Sequence, residues 1–191
     1  MAGKKFPYAP APESRSIVDI KPSYGLFVNG EFIDGHGKSF KTISPSTEEV
    51  LAEIAEADEA DVDNAVKAAR RAYTRVWSRM PGSERAKYLY RIARIIQERG
   101  RELAVLESID NGKPIRESRD VDIPIVAAHF FYYAGWADKL EYALPGNVRG
   151  GADPKPLGVA GQIIPWNFPL LMQRTKITTG RYSGPDYFTL D

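Results

Sequence analysis

Hydrophobic and polar positions alternate first and then recur at helical spacing, so strands are expected before helices along this chain. Leu26-Phe-Val-Asn-Gly-Glu-Phe-Ile alternates around Asn29-Gly30, a pair that accepts positive φ at both centres of a type I′ turn. A β-hairpin is predicted, with Phe27 and Phe32 as its packed side. Gly35-His36-Gly37 ends it, and His36 reads as a turn residue, with no partner at metal-ligand spacing. Lys38 to Ser44 forms a further extended segment, Pro45-Ser46-Thr47 turns the chain, and Val50, Ala52, Ile54 and Ala55 suggest another strand.

Asp58-Glu-Ala-Asp61 then signals a helix start, with an N-cap acid and more negative charge in the first turn, where it complements the helix dipole. Val62, Ala65, Val66, Ala69, Tyr73, Val76 and Trp77 recur at three- and four-residue steps, while Lys67, Arg70, Arg71 and Arg75 lie off that face. Pro81-Gly82-Ser83 opens a second helix carrying Ala86, Leu89, Ala93 and Ile96, with Gly100 as its C′ residue. The pattern continues through Leu103, Leu106 and Ile109 to Asn111-Gly112. Gly112-Lys113 is no phosphate loop, because proline follows the lysine where Ser or Thr is needed. Asp122 is the expected cap of a third long helix, with Pro124 in its first turn. Val126, His129, Phe130, Tyr133, Trp136, Ala137 and Leu140 supply that helix's apolar face, and His129 is read as a buried neutral imidazole with one nitrogen satisfied.

Breakers from Pro145 to Pro156 mark a linker or protruding arm. Leu157 to Ile164 then reads as a buried strand, and Pro165 stops it for want of an N–H. Trp166, Asn167 and Phe168 sit between two prolines in the sharp turn that must follow. Two readings fit these residues: a polar amide held among rings to meet a developing negative charge, or a plain aromatic turn. The strands and helices together read as one α/β unit, incompletely built.

Composition narrows the classes. In 191 residues, 43% are hydrophobic and 27% charged, the balance of a globular chain with a core. A formal net charge of +1 gives no electrostatic case for nucleic acid or an anionic membrane as partner. No apolar run approaches the roughly 20 residues of a membrane span. Residues 1–21 lack a signal peptide's apolar core and read as a disordered or loosely docked arm, so a cytoplasmic protein is expected. There is no cysteine, which removes disulfides, thiolate metal sites and any cysteine nucleophile; no metal ligand set is expected.

The stretch Gly158-Val-Ala-Gly-Gln-Ile-Ile-Pro-Trp-Asn-Phe-Pro-Leu-Leu-Met172 resembles the motif of the NAD(P)-dependent aldehyde dehydrogenase superfamily, as do LFVNGEFIDG, TISPSTEEVLAEI, ESIDNGKP and FFYYAGWADKLE in family order. The similarity covers Leu26 to Met172. It implies an α/β fold in which an N-terminal β-hairpin and helical layer lead into the first strand of an incomplete Rossmann-like dinucleotide-binding sheet. The implied organisation is a docked arm (1–21), the N-terminal part of a cofactor-binding domain (22–144), a linker or oligomerisation arm (145–156), the first strand and active-site turn (157–172), and a divergent tail (173–191). Carried over by position, the resemblance implies that Ile163, Ile164, Pro165 and Trp166 line a site for NAD or NADP, and that Asn167 donates to the oxyanion of an aldehyde substrate.

After Met172 only Lys176 and Ile177 match the family. The superfamily attacks its aldehyde with a cysteine thiolate, passes hydride to the nicotinamide, and hydrolyses the thioester with a glutamate-activated water. Neither that cysteine nor a matching glutamate is present. The chain is therefore expected to be an N-terminal fragment, inactive alone, with the Leu157–Ile164 strand lacking its neighbours and open to self-pairing. The arm and open edge suggest homo-oligomers, and an alternative reading is a non-enzymatic helical module that binds full-length homologues.

Overall fold

The computed structural model describes residues 13–139, 156 and 158–173, and the backbone of 187–190. The first half of the docked arm, Leu140, the stretch 141–155, Leu157 and the bulk of the tail lie outside the described residues.

The strand-then-helix order is as read. Strands β1 (Ser23–Tyr24), β2 (Leu26–Val28), β3 (Glu31–Ile33), β4 (Ser39–Ile43) and β5 (Val50–Ala55) precede α1 (Glu59–Arg75), α2 (Gly82–Glu98) and α3 (Gly100–Asn111). A short turn α4 (Ile115–Glu117), a π-helical turn (Ser118–Asp122) and α5 (Ile123–Trp136) follow, then β6 (Ala160–Ile163) and β7 (Tyr187–Leu190). One sheet has the order β1-β5-β4, with β1 parallel and β4 antiparallel to β5. The hairpin β2-β3 forms a separate two-stranded sheet.

The hairpin turns at Asn29 and Gly30, whose φ values of 56° and 87° are those of the type I′ turn. Its packed side is the opposite one. Phe27 and Phe32 are 63% and 79% exposed and meet each other at 4.9 Å between ring centroids. Leu26, Val28 and Ile33 are the half-buried residues. Alternation with apolar residues on both faces leaves the choice of face to whatever packs there, and β2 lies against α1.

The core joins α2 to α5. Leu89, Ala93 and Ile96 meet Ile123, Val126, Ala127, Phe130 and Ala134, with Ala104 of α3 alongside. Alanines at 0% and 1% exposure, Ala93 and Ala134, let the two helices approach closely. Gly82 permits the same at the helix ends: a Cβ there would stand 2.2 Å from the Ala137 carbonyl oxygen. Each large buried side chain contributes about 1.5–3 kcal/mol. Leu170 and Leu171, from the helical residues 169–173, pack against this core and tie the turn before them to it.

Two helix boundaries depart from expectation. Gly100 does not close α2 in a left-handed conformation; α2 ends at Glu98 with Arg99 as its cap, and Gly100 begins α3. Gly112, with φ 78°, is the left-handed residue, and it closes α3 as read. Asp122 caps nothing. It has helical dihedrals, because the helix already starts at Ile115, and its carboxylate turns to Lys113 instead. On α5, Val126, Phe130 and Ala137 are buried as expected, whereas Trp136 is 36% exposed. His129 is half-buried rather than buried, and its Nδ1 finds no hydrogen-bond partner among the described residues.

The expected Leu157–Ile164 strand is shorter and less buried. Gly158 has φ 84°, which breaks an extended run, and β6 starts at Ala160. Burial alternates along it: Gln162 is inside at 1%, while Ile163 is 77% exposed. It is therefore covered on one face only. One edge is also paired, since β7 from the tail runs parallel to it from Ala160↔Tyr187 to Ile163↔Leu190.

Candidate active site

The motif residues gather where β6 ends. Ile163 is its last residue, Ile164 is half-buried, and Pro165, Trp166 and Asn167 are exposed, Trp166 at 81%. Phe168 is 37% exposed. The rings flanking Asn167 thus do not seal its amide from water within the described residues.

The C-terminal end of α3 holds this turn. The Asn111 side-chain amide donates to the Trp166 carbonyl. The Lys113 ammonium lies 3.7 Å from the centroid of the Phe168 ring, a cation–π contact worth about 2 kcal/mol when desolvated. Downstream, the Met172 amide donates to the Phe168 carbonyl at 2.8 Å and begins the helical turn.

Lys113 is itself enclosed, with its side chain 8% exposed. It hydrogen-bonds the Asp122 carboxylate and stands 3.7 Å from Glu107 Oε1. Two buried carboxylates thus share one ammonium. Burial, then the neighbouring Asp122, push the Glu107 carboxyl up to about 7, against the pull of Lys113. Buried Ser118 Oγ, one turn from Asp122 in the π-helical segment, has no hydrogen-bond partner among the described residues. Sequence reading treated Lys113 only as a failed phosphate loop. Helical periodicity carried no signal for it, because the three charged groups come from α3, a loop and a π turn.

A second polar cluster lies at the hairpin exit. Asp61, 2% exposed, accepts from the His36 backbone N–H at 2.8 Å and meets His36 Nδ1 at 2.5 Å. These contacts, the backbone one first, lower the Asp61 carboxyl to about 2, and the side-chain hydrogen bond to Asp61 raises the His36 imidazole. His36 therefore does more than turn the chain, contrary to expectation. Ligand atoms of His36, Asp58 and Asp61 fall within 4.8 Å of one another. Both Asp61 oxygens and Asp58 Oδ1 already accept hydrogen bonds, and Asp58 and Asp61 form a reciprocal capping box at the start of α1. The cluster is a joint between hairpin and helix.

Comparison with known proteins bears on the turn. The aldehyde dehydrogenase family pattern matches residues 32–184. This chain belongs to the aldehyde dehydrogenase family. Over 157 residues it is 48% identical to aldehyde dehydrogenase family 2 member B4, mitochondrial, from Arabidopsis thaliana, covering 80% of this chain and 29% of that protein. Human mitochondrial aldehyde dehydrogenase is 46% identical over 165 residues, 83% of this chain and 32% of that protein. Among solved structures, the NAD+ complex of aldehyde dehydrogenase from Bacillus cereus superposes with a TM-score of 0.75 at 40% identity, over 87% of this chain and 35% of that one. The mixed α/β architecture is thus that of aldehyde dehydrogenase structures, and the chain spans about a third of the length of the relatives it matches.

Proposed function

We propose that this aldehyde dehydrogenase chain supplies the cofactor-facing strand and the oxyanion-binding turn of an NAD(P)-dependent oxidation of an aldehyde to a carboxylate, and that its 191 residues do not catalyse that reaction unaided. The observation that carries the reading is Asn167, set in a turn after β6 and braced through both of its neighbours from the end of α3 and the loop that follows it. In this reading β6 is the first strand of a Rossmann-like sheet.

Ile163 and Trp166 offer apolar area at 77% and 81% exposure, which fits the flat rings of a dinucleotide. Ile163, Ile164, Pro165 and Trp166 would hold that part of NAD or NADP; none of them carries a charge for its phosphates, so affinity from these residues alone is weak. The bound nicotinamide supplies the acceptor for hydride. Asn167 would donate its side-chain N–H to the carbonyl oxygen as negative charge grows there, a donor whose loss costs about 10²–10³-fold in rate. No residue here can make the covalent attack by sulfur, since cysteine is absent.

Two measurements test this. Purified chain mixed with aldehydes and NAD or NADP should show no absorbance of reduced nicotinamide; aldehyde-dependent reduction would overturn the claim that it needs a nucleophile from elsewhere. A chimera carrying residues 26–172 in a full-length relative should oxidise aldehyde, and Asn167→Ala in it should lower kcat about 10²–10³-fold. An unchanged kcat would remove Asn167 from the mechanism.

A further inference from the structure

We propose that Asn111 and Lys113 are positioning residues that hold Asn167 in place from both sides, by fixing the Trp166 carbonyl and the Phe168 ring. The proposal rests on the reading of Asn167 as the oxyanion donor, but concerns its placement.

The two residues that flank Asn167 are each bound by the same short stretch of chain. Asn111 donates its amide to the Trp166 carbonyl, and Lys113, two residues on, places its ammonium on the Phe168 ring at 3.7 Å. Between them, Gly112 leaves the helix with φ 78°, and a Cβ there would come 2.6 Å from Pro45 Cγ. Glycine thus lets the stretch bend sharply against Pro45 and aim both side chains at the turn. Ser108 Oγ donates to the Lys113 carbonyl at 2.7 Å and fixes the backbone after the bend.

Lys113 is a rigid post because its charge has nowhere else to go. Its side chain is 8% exposed, and its neighbours are two carboxylates, themselves 2% and 5% exposed, and an aromatic face. Releasing the ring would leave one side of a buried ammonium facing nothing, which costs far more than moving a surface lysine. The cluster therefore transmits the rigidity of α3 and the π turn to the Phe168 side. Asn167, exposed and without a wall of its own, takes its order from these two anchors.

The test uses the isotopically labelled 191-residue chain and the NMR order parameter of the Asn167 amides. The unaltered chain should show about 0.85, and Asn111→Ala combined with Phe168→Leu should fall below about 0.6, with the amides of α2 and α5 unmoved. Phe168→Tyr, which keeps an aromatic face, should retain the original order; Phe168→Leu alone should give an intermediate value. An unchanged order parameter in the double variant, or equal loss in Tyr and Leu at 168, would overturn the proposal. Because both substitutions leave Lys113, Glu107 and Asp122 in place, the test needs no Lys113 variant. An ordered Asn167 whose removal leaves chimera kcat intact would end the oxyanion reading while leaving the positioning role standing.

Discussion

The helical layer and the turn after β6 solve opposite problems with similar residues. In α2 and α5, Ala93 and Val126 are fully buried and Phe130 is 4% exposed, so apolar surface is spent on cohesion. At the end of β6 and in the turn, Ile163 and Trp166 stand more than three-quarters exposed, and the turn's order is imposed from outside by Asn111 and Lys113. The first region is held by packing between its own helices. The second is kept available for contact, and is held by a few polar and ionic anchors rather than by its own burial.

The contrast can be broken most strongly at the core. Phe130→Ala should cost about 3–5 kcal/mol in denaturant unfolding, through lost transfer energy and the cavity left behind. A loss below 1 kcal/mol would show that α2 and α5 do not pack as described. Lys113→Ala tests the anchor between the regions. It leaves Glu107 and Asp122 buried without their cation, and should cost about 3–5 kcal/mol by the same measurement. A near-neutral result would mean the cluster is open to water. Asp58→Ala removes one half of the capping box of α1 and should cost about 1 kcal/mol. Trp166→Ala sharpens the comparison from the other end: unfolding free energy should stay within about 0.5 kcal/mol of the original, since the ring is mostly in solvent. A larger drop would place Trp166 in the core of the fold.

Proton binding separates the regions further. The Glu107 carboxyl, raised to about 7 by burial, holds a proton in the folded chain that the unfolded chain releases near its ordinary value of 4.5. Its contribution to stability is complete below that ordinary value and fades as pH rises through about 7. Glu107→Gln should abolish this fall, as read from urea midpoints between pH 5 and 8; an identical pH profile would exclude Glu107 as its source. The hairpin joint adds terms of both signs. The raised His36 imidazole stabilises at pH below its ordinary 6.5, and that effect is lost as pH rises through the folded value. Asp61, lowered to about 2, stabilises above its ordinary 3.8, and that is lost as pH falls toward 2.

Legibility followed the range of the interaction. The Asn29-Gly30 turn, the Asp58 start of α1, the Gly112 stop of α3 and the buried set Ala86, Leu89, Ala93 and Ile96 were readable because each depends on dihedral preference or on neighbours within a few residues. The motif from Gly158 to Met172 was readable as a family resemblance. What failed was non-local: the outward face of Phe27 and Phe32, the partnership of His36 with Asp61, and the diversion of Asp122 from capping to Lys113.

By itself, then, the order of residues determined the succession of strands and helices and several of their turns and caps, that these residues hold no sulfur nucleophile, and that the strand–turn motif is present. Only the tertiary structure decided which face of the hairpin meets α1, that β7 pairs with β6, and that Lys113 lies on Phe168. Backbone preferences act over a few residues and are written locally. A buried charge chooses its partners only once distant segments have excluded water around it, and no spacing along the chain encodes that choice.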